Sequence, residues 1–117
     1  MSDRHSLLYL QDILDSGAAI LQYADGISYE SFCGERMRYT AVIREFEIIG
    51  EAVSKLDMDL KQLDPTVPWQ DIKDFRNLLI HEYFGVDLEI VWNTIHNDLP
   101  GLLDAVSKLL HKLNQAK

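Results

Sequence analysis

The chain has 117 residues, a length that suits one globular domain, residues 1–117, built around a single hydrophobic core. A hydrophobic content of 47% with only three prolines and six glycines excludes a disordered or loop-rich chain. Acidic residues outnumber basic ones by 19 to 11, giving a formal net charge of −8, so a broad basic surface of the kind that binds nucleic acids is excluded. Any contact with RNA must therefore be local, in a cleft where a few cations dominate.

Cysteine usage and hydropathy narrow the class of protein further. Cys33 is the single cysteine, so one chain can form neither a disulfide framework nor a cysteine-based metal site. No apolar run approaches the roughly 20 residues that cross a bilayer. The N-terminal residues lack the apolar core of a signal peptide. We expect a cytoplasmic protein that makes no contact with a membrane.

Helical periodicity runs through the whole chain, and no alternating strand pattern is present. Asp25-Gly26 is a typical helix stop, and Pro68 suits the first turn of a helix. The pattern predicts an all-α, up-and-down bundle of four to five helices. The predicted helices span residues 6–24, 35–56, 69–85, 87–97 and 102–113, with single helical turns near 28–34 and 58–63 and a break at residues 98–100.

The second long helix is apolar on two sides, which is typical of a helix packed between two neighbours. Gly50 lowers helix propensity in its middle, so we expect a close helix crossing there. The main apolar face consists of Tyr39, Val42, Phe46, Ile49, Val53 and Leu56, and a narrower strip, which we expect to be covered within the bundle or by a second subunit, consists of Met37, Ala41, Ile48 and Ala52.

The helix after Pro68 places an arginine, a histidine and a tyrosine within eight residues, as Arg76, His81 and Tyr83. On an ideal helix Arg76 falls within the apolar arc, nearly in line with Tyr83. A buried charge needs a partner. We therefore expect Glu47 or Glu51 of the preceding long helix to form a supporting ion pair with Arg76.

The spacing of Arg76, His81 and Tyr83 resembles the Rx4HxY signature of HepT-type toxins, small helical ribonucleases of the HEPN superfamily. Residues 48–52, 67–69, 83–92 and 97–100 extend the resemblance, in the expected order, over essentially the whole chain. The resemblance implies a HEPN-type bundle that forms a homodimer and cleaves RNA without a metal ion or other cofactor. It also implies that Arg76 and His81 are catalytic and that the polar residue after the arginine, Asn77, assists.

The residue types suit RNA cleavage by attack of the 2′-hydroxyl on the neighbouring phosphate. Histidine transfers protons near neutral pH, and arginine is a permanent planar donor array for a phosphorane. Arg76 and His81 lie about 140° apart on an ideal helix, so they converge only if the helix deforms near His81 or if two copies of the motif face one cleft. Without the motif, His81 would be interpreted as a capping or surface histidine and Arg76 as part of a structural salt bridge.

The resemblance further implies a partner, a nucleotidyltransferase antitoxin of the MNT type that adenylylates the motif tyrosine, which is Tyr83 here. The competing interpretation of Tyr83 is a core aromatic residue with a satisfied hydroxyl group. For the whole chain, the alternative to an endoribonuclease toxin is a non-catalytic nucleotide-binding or scaffold subunit that pairs with a nucleotidyltransferase. The acidic composition favours that alternative, and we expect no binding to DNA.

Overall fold

The computed structural model describes residues 3–81 and 85–115, and within these ranges the regular secondary structure is entirely helical. Five helices of ten or more residues match the predicted helices, and two short helices occupy the predicted single turns. The all-α prediction is confirmed. In chain order the helices are α1 (Asp3–Ala24), α2 (Tyr29–Gly34), α3 (Arg36–Lys55), α4 (Met58–Lys61), α5 (Trp69–His81), α6 (Leu88–Asn97) and α7 (Leu99–Gln115).

Short polar side chains define where three of these helices begin. Ser28 accepts a hydrogen bond from the backbone N–H of Ser31 at the start of α2. Asp57 accepts from the N–H of Leu60 at the start of α4, and Asp87 accepts from the N–H of Glu89 at the start of α6. Such caps satisfy N–H groups that have no partner inside the helix, so they fix the helix boundaries locally.

Helix α3 is the centre of the bundle, because it packs against α1 on one side and α5 on the other. Helix α7 completes the bundle by packing on α1 and α6. The apolar face predicted for α3 forms much of the core, and its buried members are Val42, Phe46, Ile49, Val53 and, at the cap position, Leu56.

The second apolar strip of α3 is covered unevenly within one chain. Ala52 is buried and Ile48 is half-buried, but 89% of the Met37 surface remains exposed. Cover by a second subunit therefore stays a prediction. None of the described helices carries an apolar stretch long enough to cross a bilayer.

The last helix begins earlier than predicted, at Leu99 instead of residue 102. Pro100 lies in its first turn, where the missing N–H of proline removes no helical hydrogen bond. The break between α6 and α7 is confined to Asp98, whose N–H still bonds to the carbonyl oxygen of Thr94.

Candidate active site at the crossing of α3 and α5

Helices α3 and α5 cross closely where Gly50 of α3 faces Arg76 of α5. A Cβ atom placed on Gly50 would overlap the Cβ of Arg76, and it would lie 2.5 Å from the Cγ and 3.5 Å from the Cα of the same residue. Any side chain at position 50 would therefore push the two helices apart at Arg76. The close crossing expected at Gly50 is present, and it determines where the arginine side chain begins.

The Arg76 guanidinium is held by two acceptors on different sides. Its Nη2 lies 2.6 Å from Oε1 of Glu51, and its Nη1 donates to Oδ1 of Asn77 at 3.0 Å. The side chains of Arg76 and Glu51 are 29% and 45% exposed, so the ion pair stabilises the fold by no more than about 1 kcal/mol. The two contacts mainly orient the guanidinium, because a charge-assisted hydrogen bond at each terminal nitrogen fixes its plane.

The hydrogen-bonding capacity of this guanidinium is only partly used. A guanidinium carries five N–H donors, and the described contacts of Arg76 engage Nη1 and Nη2 once each. Its Nε is buried and has no hydrogen-bond partner among the described residues. The second N–H of each terminal nitrogen therefore remains for a further acceptor in the cleft, such as a phosphate oxygen.

A cleft of about 310 Å³ opens beside Arg76 between α1, α3 and α5. Its charged side chains comprise three cations and three carboxylates, so cations do not outnumber anions there as the sequence led us to expect. The balance is nevertheless less acidic than the chain as a whole, which carries a net charge of −8. The lining residues are Tyr9 and Asp12 of α1, Arg44, Glu47, Ile48, Glu51, Ala52 and Lys55 of α3, and Arg76 and Ile80 of α5.

The second carboxylate proposed for the arginine has a different partner. Glu47 pairs with Arg44 at 3.3 Å on its own helix, one turn before the Glu51 contact. Lys55 lies over the ring of Tyr9, with its Nζ 5.7 Å from the ring centroid. The structure thus assigns the ion pair with Arg76 to Glu51, while Glu47 belongs to a separate pair in the same cleft.

The remaining motif residues are described only in part. Asn77 is half-buried and accepts from Arg76, as stated above. The backbone of His81 belongs to α5, but its imidazole lies outside the described residues, as does the whole of Tyr83. The convergence of Arg76 with His81 and the accessibility of Tyr83 both stay predictions.

None of the other three histidines lines the cleft. His5, His96 and His111 are exposed, and the His96 ring packs on Trp92 with the centroids 4.3 Å apart. In the part of the chain that the structure describes, no three histidine, cysteine, aspartate or glutamate side chains are grouped as metal ligands would be.

The contribution of α1 to the wall of the cleft was not predicted from the sequence. Tyr9 and Asp12 carry no motif of their own, and their place opposite Arg76 depends on the register between α1 and α3. A role for Arg44 was not predicted either, although it stands three residues before Glu47, a spacing at which two helical side chains can form an ion pair.

Comparison with known proteins places the sequence in a family. A family model described as ribonuclease HepT-like matches residues 13–109. The "Probable ribonuclease HepT" of Thermococcus cleftensis is 40% identical over 86% of this chain and 92% of its own. The "Putative RNase MJ1380" of Methanocaldococcus jannaschii is 39% identical over the same shares of the two chains. No solved structure matches the chain significantly.

Proposed function

Because the chain belongs to the ribonuclease HepT-like family, we propose that it is the endoribonuclease toxin of a toxin–antitoxin module. It cleaves RNA in the cytoplasm, without a metal ion, through attack of the ribose 2′-hydroxyl. The observation that carries this proposal is the Arg76 guanidinium, which is held in place by Glu51 and Asn77 beside an open cleft and retains unused donors.

The reaction has three requirements, and the motif has a residue for each. The 2′-oxygen forms a bond to phosphorus while its proton passes to a His81 imidazole. The phosphorane gains negative charge, which the Arg76 guanidinium stabilises. The bond from phosphorus to the 5′-oxygen then breaks, and that oxygen takes a proton from a His81 imidazolium. In the proposed homodimer, two motifs face one cleft, so that one His81 accepts a proton and the other donates one.

A second candidate function is a non-catalytic nucleotide-binding subunit that pairs with a nucleotidyltransferase. The net charge of −8 and the engagement of Arg76 by Glu51 favour it. In that case the cations of the cleft would bind nucleotide phosphates without cleaving RNA. The two functions differ in a single measurable property, the breakage of the RNA chain.

An RNA cleavage assay in the presence of a metal chelator separates the two functions. The wild-type protein should produce fragments that end in a 2′,3′-cyclic phosphate and a 5′-hydroxyl group, and His81→Ala should produce none above background. His111→Ala, which changes an exposed histidine on α7, should cleave like wild type. Intact RNA with the wild-type protein, or cleavage by His81→Ala at the wild-type rate, would contradict the assignment.

The proposed antitoxin is a nucleotidyltransferase of the MNT type, which silences the toxin by adenylylating Tyr83. An AMP group near Arg76 would add a bulky anion where the substrate phosphate must lie, and so would block RNA by charge and volume. Mass spectrometry of the protein co-expressed with this enzyme should show the added AMP on a peptide containing Tyr83. Tyr83→Phe should remain toxic and resist neutralisation. A neutralised complex with unmodified Tyr83 would show that the antitoxin acts by binding instead.

A further inference from the structure

The three cations that line the cleft beside Arg76 differ in how their charge is balanced. Arg44 pairs with Glu47 at 3.3 Å, and Arg76 pairs with Glu51 at 2.6 Å. Lys55 forms no ion pair within the part of the chain that the structure describes. Because Lys55 is also exposed, its ammonium can donate hydrogen bonds to an acceptor that enters the cleft from solution.

An aromatic ring of α1 holds this ammonium at the wall of the cleft. The Nζ of Lys55 lies 5.7 Å from the centroid of the Tyr9 ring, which is within the range over which an aromatic face attracts a cation. Tyr9 is half-buried and lines the same cleft. Asp12, the third carboxylate of the cleft, lies nearby on α1 but forms no ion pair with Lys55. A ring, unlike a carboxylate, restricts the position of the ammonium without neutralising its charge.

Lys55 stands one helical turn along α3 from the residue that orients Arg76. Glu51 contacts the guanidinium, and Lys55 follows Glu51 by four residues, so the two side chains are neighbours on one face of the helix. One helical turn covers about 5.4 Å. A step of this size is comparable with the distance between successive phosphates of an extended single strand. A strand whose scissile phosphate lies at Arg76 can therefore reach Lys55 with a neighbouring phosphate.

We propose that Lys55 binds the backbone phosphate next to the scissile phosphate of the RNA substrate, and that the Tyr9 ring positions its ammonium for this contact. This proposal rests on the proposed ribonuclease function. The contact recognises the sugar–phosphate backbone and not the bases, so it adds affinity without sequence preference. It also gives a chain with a net charge of −8 a local attraction for RNA, at a cation that no ion pair in the described part of the chain neutralises.

The first test measures binding of a short single-stranded 2′-O-methyl RNA, which lacks the attacking hydroxyl group, by fluorescence anisotropy over a range of salt concentrations. Lys55→Gln should reduce the slope of log affinity against log salt by about 0.7 and weaken binding about fivefold at low salt, because one phosphate contact is lost. Lys55→Arg should keep the wild-type slope, since arginine also binds phosphate. The matched control is Lys112→Gln, which removes an exposed charge from α7 and should change neither quantity. Equal effects of the two glutamine variants would refute the phosphate contact.

Two variants of Tyr9 test whether its ring positions the ammonium. Tyr9→Phe keeps the aromatic face and should bind the RNA like wild type. Tyr9→Leu removes that face and should weaken binding about two- to threefold. In the Lys55→Gln protein, Tyr9→Leu should have no further effect, because the ring acts through the lysine. An equal effect of Tyr9→Leu with and without Lys55 would refute the positioning role of Tyr9.

Neutralising single phosphates of the strand locates the contact. In an RNA that the wild-type protein cleaves, a neutral methylphosphonate replaces the phosphate on one side or the other of the scissile phosphate. On one of the two sides this change should raise the wild-type KM about fivefold, whereas Lys55→Gln should not respond to it. Equal responses of both proteins on both sides would refute the phosphate contact alone. Binding of 2′-O-methyl RNA that depends on Lys55, in a wild-type protein that cleaves no RNA, would instead refute the ribonuclease function and leave a phosphate contact at Lys55 in place.

Discussion

Two glycines bring helices into close contact in this molecule, and they face different kinds of neighbour. A Cβ on Gly17 of α1 would approach the branched end of Leu103 on α7, with Cδ1 at 2.8 Å and Cγ at 3.0 Å. A Cβ on Gly50 of α3 would instead meet Arg76 at the base of its side chain, with Cα itself only 3.5 Å away. The first neighbour is the movable tip of an apolar side chain, whereas the second is attached directly to the helix backbone.

This difference separates a packing contact from a contact that positions a charged group. Leu103 can adopt another rotamer without moving α7, so the contact at Gly17 serves the core alone. At Gly50 the neighbour cannot yield unless α5 moves. Three consecutive residues of α3 therefore build the site, because Ile49 is buried in the core, Gly50 makes room for Arg76, and Glu51 binds its guanidinium.

The two contacts should differ most when the neighbour of each glycine is truncated to alanine. Arg76→Ala should reduce single-turnover RNA cleavage by about a hundredfold or more, because a donor to the phosphorane is lost. Its free energy of unfolding should fall little, since the half-exposed pair with Glu51 contributes little stability. Leu103→Ala should have the opposite effects. Its free energy of unfolding should fall by about 1–2 kcal/mol, and the folded protein should cleave RNA at the wild-type rate. Equal cleavage by both variants would contradict this division of roles.

Replacing each glycine with alanine should affect the free energy of unfolding differently at the two contacts. Inside a helix, alanine stabilises the folded state by up to about 1 kcal/mol relative to glycine. Gly17→Ala should retain most of this gain once Leu103 shifts, so its unfolding free energy should stay within about 1 kcal/mol of wild type. Gly50→Ala should be less stable than wild type by about 1–2 kcal/mol, because overpacking against Arg76 outweighs the helical gain. Chemical denaturation of the two variants side by side measures the difference.

The smallest expected effect distinguishes the two glutamates of the cleft, Glu47 and Glu51. Glu51→Gln should lower the kcat for RNA cleavage by about tenfold, because the guanidinium loses the anion that orients it. The KM for RNA should not rise, since the change removes a negative charge from the cleft. Glu47→Gln removes the same charge from the pair with Arg44, and its kcat should change much less. If kcat falls equally in both variants, orientation by Glu51 is not the cause.

The fold could be predicted from the sequence because its signals are local. Apolar periodicity, Asp25-Gly26 and the caps at Ser28 and Asp87 each specify a helix or its end within a few residues. The sequence predicts the start of α7 three residues too late, because residues 98–100 indicate a break, although a proline is equally compatible with the first turn of a helix.

For the candidate site, the sequence predicted only the motif residues and the possible partners of Arg76. A charge in the apolar arc of α5 required a carboxylate, which limited the choice to Glu47 and Glu51, and the register between α3 and α5 selects the second. Tyr9 could not be connected with the site from the sequence. Its neighbours in the cleft, among them Arg44 and Arg76, are far from it along the chain, and only the packing of α1 brings them together.

We propose that the close crossing of α3 and α5 at Gly50 positions Arg76 for RNA cleavage. Single-turnover cleavage by Gly50→Ala and Gly17→Ala, measured in a metal chelator at a temperature where both variants are fully folded, tests it most directly. A shift of α5 by even about 1 Å should slow Gly50→Ala by tenfold or more, while Gly17→Ala should cleave at the wild-type rate. Cleavage by folded Gly50→Ala at the wild-type rate would contradict the account.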